Sequence, residues 1–97
     1  MQAELHDEIT VRLLYKETDG RILDYSREYP VSTFAGIVPA IGDTLVDPGV
    51  LSGQSRTEPS SRIVLTVVGR VFNPKDVESY VALIVEARPG SEDDPFL

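Results

Sequence analysis

Asn73-Pro74-Lys75-Asp76-Val77-Glu78-Ser79-Tyr80-Val81-Ala82-Leu83-Ile84-Val85-Glu86-Ala87-Arg88 carries two periodicities at once, and the choice between them decides the fold. Asn73 is a good cap and Pro74 a good first helical residue. Val77, Tyr80, Val81, Ile84 and Val85 then follow helical spacing. A period of two fits as well: Val77, Val81, Leu83, Val85 and Ala87 alternate, with Ser79 as the only polar exception. The run from Tyr80 to Val85 is continuous, β-branched and of strand length, and Arg88-Pro89-Gly90 closes it. The composition of that run favours a loop over 73–78 followed by a strand over 79–87. The alternative is an α+β chain with a C-terminal helix at 74–87.

Outward from there, Arg62 to Phe72 is rich in β-branched residues and reads as a second strand. Strict alternation puts Ile63, Leu65, Val67, Gly69 and Val71 on one face and Val64, Thr66, Val68, Arg70 and Phe72 on the other. Both faces are largely apolar, so something must cover the outer one. Gly69 marks the place for a bulge or sharp bend. Near the N-terminus, Ile9, Val11, Leu13 and Tyr15 alternate with Thr10, Arg12, Leu14 and Lys16 up to Asp19-Gly20. That dipeptide predicts a hairpin turn and a return strand over 21–29. Pro30 ends the ladder or marks an edge strand. Residues 31–42 are apolar without a period. They read as an extended covering segment that packs Phe34, Ile37, Val38 and Ile41, and they end in a Gly42-Asp43 turn with Asp43 as the capping carboxylate. Thr44-Leu45-Val46 is a short strand. Residues 47–60 form a long Gly/Ser/Pro loop, a functional or mobile segment, with Val50 and Leu51 as an apolar island.

The sequence Val38-Pro39-Ala40-Ile41-Gly42-Asp43-Thr44-Leu45, then Leu65-Thr66-Val67-Val68-Gly69-Arg70-Val71-Phe72 and Val81-Ala82-Leu83-Ile84-Val85, resembles a group of small, mostly uncharacterised bacterial and phage proteins with an SH3-like barrel. The shared pattern is a Pro-x-x-Gly-Asp turn leading into a strand. It covers about residues 30–87, and the 47–60 loop is longer than the pattern expects. The resemblance implies an all-β, small, SH3-like, partly open barrel of about five strands. It carries no catalytic residue with it. The expected organisation is one domain over 1–88 and a polar, acidic, frayed tail over 89–97.

Composition narrows the function. The chain of 97 residues has no Cys, which excludes disulfides and thiolate chemistry. The net charge of −7 is spread along the chain rather than clustered, which disfavours a nucleic-acid partner. No apolar run is long enough for a membrane span, and the polar leader lacks signal-peptide character, so a cytoplasmic protein, or one packaged in a phage particle, is expected. His6 is the only histidine and sits in an acidic leader, which argues against a triad or a histidine metal site. Asp43 with Asp47, and Asp76 with Glu78, are too sparse for an oxygen-ligand metal loop. Asp24 and Glu28 share what reads as a wet strand face. Tyr15, Tyr25, Tyr29, Phe72 and Tyr80, interleaved with Arg12, Arg21, Arg27 and Arg70, would stack on bases only if exposed together.

No catalytic, cofactor or metal site is expected. The expectation is a non-catalytic protein-protein interaction or assembly module, with a homodimer as the favoured partner arrangement. Its candidate contacts are Val50, Leu51, Val64, Val68, Phe72, Tyr80 and Ile84. Two other readings follow from acidity and loop composition: an acidic, phage-type inhibitor of a nucleic-acid enzyme or host defence protein, and a small-ligand barrel with the 47–60 loop as its lid.

Overall fold

The computed structural model describes residues 8–47, 53–55, 57–72 and 78–97. Among these there is no α-helix. Five strands are present: β1 Thr10–Lys16, β2 Ile22–Pro30, β3 Thr44–Val46, β4 Ile63–Phe72 and β5 Tyr80–Pro89. Residues 80–89 are therefore strand, which removes the C-terminal helix over that stretch, while 74–77 lie outside the described residues. The β-branched content of the run won over the capping signal because both long sides of β5 are paired.

The strands form one sheet in the order β2-β1-β5-β4-β3. β1 and β2 are an antiparallel hairpin closed by Glu17–Gly20, where the Gly20 N–H donates to the Glu17 carbonyl and Gly20 has a φ of 91°. Glycine accepts that positive φ at no steric cost. β1 then pairs with β5 in parallel, Leu13 beside Leu83. β5 and β3 both pair with β4 in antiparallel ladders. The two central strands carry the core: Val11, Leu13 and Tyr15 alternate with half-buried neighbours, as do Val81, Leu83 and Val85. Leu65 and Val67 continue the same layer on β4. The Val31–Phe34 3-10 turn and Val38 close over it, with Val31 buried.

Gly69 marks a bulge, as its place in the sequence implies. Val67 stands opposite Val85, and Gly69 opposite Ile84, so Val68 is the extra residue. An extra residue shifts the phase of every side chain beyond it. Arg70 and Phe72 thus join the face of Leu65 and Val67, and Val71 passes to the outer one, opposite Ala82.

The sheet curls without closing. Asp47, at the end of β3, reaches Tyr15 on β1 and Arg27 on β2, although β2 and β3 are the two edges of the sheet. The architecture is an all-β, partly open barrel of five strands. Residues 91–97 do not fray but turn back. Arg88 forms a two-pronged pair with Asp94 at 2.7 and 2.9 Å, and the Leu97 N–H donates to the Asp94 carbonyl. Gly90 is buried there: a Cβ on it would lie 2.4 Å from both Leu97 Cδ1 and the Pro59 carbonyl oxygen.

Gly90→Ala should therefore cost about 1–3 kcal/mol in urea unfolding, because the Pro59 backbone cannot step aside. The tail should also respond to acid. Arg88 and the Ser91 N–H hold the Asp94 carboxyl at about 2, below its ordinary 3.8. A depressed folded value means the contribution is complete above about 4 and lost as the pH falls through about 2. Amide exchange over 91–97 should accelerate in that window while the exchange of Leu83 stays slow.

Candidate interaction site

Three polar groupings and one groove stand out. The first grouping is interior. Asp47, 5 % exposed, accepts from the Tyr15 hydroxyl at 2.8 Å and from Arg27 Nη1 at 3.1 Å. Burial first, then the bond to Asp47, pushes the Tyr15 hydroxyl pKa up, so it stays protonated as the donor. Burial opposes the charge on Arg27, but Asp47 and Tyr15 outweigh it and the guanidinium is shifted upward. The second grouping lies on the outer face, where Arg12 is clasped by Asp24, 2.8 Å at Nη2, and by Glu28. Asp24, the strongest of its partners, raises the Arg12 pKa, and Arg12 lowers that of Asp24. The Tyr80 hydroxyl adds a bond to Glu28 at 3.3 Å. The third is the Gly42-Asp43 turn, where Asp43 Oδ2 accepts from the Ala40 N–H at 2.7 Å and Gly42 has a φ of 98°. Asp43 is thus the turn-capping carboxylate its sequence position implies.

The groove lies between the covering segment and β3. Thr33, Phe34, Ile37, Pro39, Asp43, Thr44, Leu45 and Val46 enclose a volume of about 470 Å³. Phe34 is held from below by an edge-on contact with Tyr29, ring centroids 6.1 Å apart. Arg70 fixes the Pro39 wall by donating to its carbonyl. Ile37 and Ile41 were expected to pack inward with Phe34 and Val38. Only Phe34 and Val38 do so; Ile37 is 67 % exposed and Ile41 66 %. The physical reason is backbone geometry. Ala35 and Gly36 both take positive φ and end the 3-10 turn, so that Ile37 faces outward while Val38 packs on the core.

The structure places the sequence-derived contact residues on two faces of the sheet. Val68, Tyr80 and Ile84 share the outer face and are partly buried. Val64 is fully buried, and the bulge moves Phe72 to the other side of the sheet, where it is 55 % exposed beneath the Arg70 guanidinium. Val50 and Leu51 lie outside the described residues. The aromatic set is scattered too: Tyr15 is core, Tyr25 stacks edge-on against it, and Tyr80 is on the far face. The residues missed were Ile37 and the β3 edge. The Ala35-Gly36 break before Ile37 was the available signal.

Exposed isoleucines are not held by folding, and this can be measured. Ile37→Ser and Ile41→Ser should each change stability by less than about 0.5 kcal/mol, whereas Leu83→Ala, fully buried at the centre of the sheet, should cost about 2–5 kcal/mol. Among known proteins, no family model, no curated sequence and no solved structure matches this chain.

Proposed function

We propose that this chain is a non-catalytic protein-interaction module whose contact surface is the groove between Phe34 and β3. The observation that carries the reading is exposed Ile37 on the wall of an apolar groove that folding leaves open, with exposed Ile41 four residues further on. Large apolar side chains exposed next to a concavity are costly in water and mark contact surfaces. The carboxylates support the non-catalytic part. Asp43 caps a turn, Asp47 bridges strands, and Asp24 with Glu28 clasps Arg12, so each is engaged in holding structure. Among the described residues no helix is long and apolar enough to cross a membrane. A cytoplasmic or phage-particle setting belongs to the same proposal, carried by the resemblance described above.

A homodimer is the second reading. Leu14, Val68, Ala82 and Ile84 form a half-buried apolar strip on the outer face, flanked by the Arg12 cluster. A photo-crosslinking residue separates the two surfaces. Placed at Ile37 in the full chain, in an extract of its own cells, it should give discrete adducts that excess unlabelled chain competes away; placed at Ile84 it should give none. Adducts from Ile84 alone, at twice the chain mass, would establish the dimer instead. The same diffuse background from both positions would overturn the interaction reading.

A further inference from the structure

We propose that the free edge of β3 takes an extended peptide segment as a sixth strand, with alternate apolar side chains in the groove and a basic residue flanking them. This rests on the interaction reading above and names its ligand class. The ladder gives the direction of each backbone group. The Asp47 N–H donates to the Ile63 carbonyl at 2.8 Å and the Val67 N–H to the Asp43 carbonyl at 3.0 Å. Leu45 stands between them, opposite Leu65. In an antiparallel pair bonded and non-bonded residues alternate, so the N–H and C=O groups of Thr44 and Val46 point away from β4. Among the described residues β3 has no neighbouring strand on that side. These groups therefore border the groove lined by Phe34, Ile37 and Leu45.

The two edges of the sheet are treated differently. β2 is the longer, but it carries a register shift opposite Leu13/Leu14, a left-handed Ser26 at φ 58° and a terminal Pro30. Asp24, Arg27 and Glu28 add charge along it. Bulges, proline and charge are the devices that stop a strand from adding to an edge. Thr44-Leu45-Val46 carries neither bulge, proline nor charge and is made of good strand formers; its shortness is the one further device of this kind that it has. An uncharged, proline-free edge beside an apolar groove matches the way sheets accept a peptide strand, in which backbone bonds supply affinity and pockets read alternate side chains.

Charge and size select the occupant. Among the described residues Asp43 lines the groove and no Lys or Arg does, on a chain of net charge −7. An acidic strand is repelled and a basic flank attracted. A second copy of the chain is disfavoured, because two edges of three residues bury far less than the roughly 1,200 Å² of a stable interface.

The test is a titration of the isotope-labelled full chain with a synthetic peptide of alternating valine and threonine, lysine at each end, followed by amide spectra. Shifts should centre on Thr44, Val46 and residues 33–37, the Thr44 and Val46 amides should exchange more slowly, and added salt should weaken binding. Val46→Pro removes an N–H that serves only the free edge, so it should keep the fold and bind about tenfold more weakly. Ile37→Ser should weaken binding with an unchanged spectrum elsewhere, which keeps the test sound should the proline variant misfold. Shifts mapping to β2 or the outer face, equal binding of a glutamate-flanked peptide, or full affinity in both variants would overturn the proposal. So would a dimer in sedimentation that Val46→Pro dissolves. Position-specific adducts at Ile37 with no peptide effect at Thr44 and Val46 would overturn strand addition alone and leave the interaction module standing; absence of both would overturn both.

Discussion

A single buried carboxylate holds the two edges of this sheet to each other. Asp47 leaves the end of β3 on one edge, and its oxygens meet the Tyr15 hydroxyl and the Arg27 guanidinium, the latter from the opposite edge. Burying a charge costs several kcal/mol unless it is bonded. Here burial and bonding are matched, since Tyr15 stays protonated and Arg27 stays charged. The pair spans the interior where no backbone ladder closes the barrel. It lies within the same curled sheet whose apolar face Val31, Phe34 and Val38 of the covering segment pack against.

The groove is a product of that curl. Bending β3 toward β2 brings Leu45 near Phe34, while the left-handed break at Ala35-Gly36 carries Ile37 outward instead of filling the space. The same curl fixes which backbone groups of β3 are spent inside the ladder and which are left at the rim. On the opposite edge the chain spends its charges and its bulge. The two edges thus differ, β2 carrying charge and a bulge and β3 neither, and the outer face carries the Arg12 cluster and the Arg88–Asp94 pair.

Much of this architecture is legible locally. Alternation around Val11 and Leu13 with Asp19-Gly20 gives the hairpin, the Gly42-Asp43 turn gives the entry to β3, and β-branched density gives β4 and β5. Gly69 gave the bulge but not its consequence, because one extra residue reverses the side of Phe72 and no residue type announces that a phase has changed. The parallel pairing of β1 with β5 joins segments about seventy residues apart and depends on how the whole sheet assembles. The bridge from Asp47 to Tyr15 and Arg27 is hidden for the same reason: within its own segment Asp47 looks like the start of a polar loop. The groove was invisible because a covering segment without a period does not tell which of its apolar residues reach the core.

A double-mutant cycle on Tyr15→Phe and Asp47→Ala, read by urea unfolding, tests the role given to the buried carboxylate most directly. The account expects each single change to destabilise and the pair to be coupled by about 0.5–3 kcal/mol, the range for groups in direct contact. Strict additivity of the two changes would contradict it, for the buried Asp47 carboxylate would then not be tied across the sheet to Tyr15 on β1.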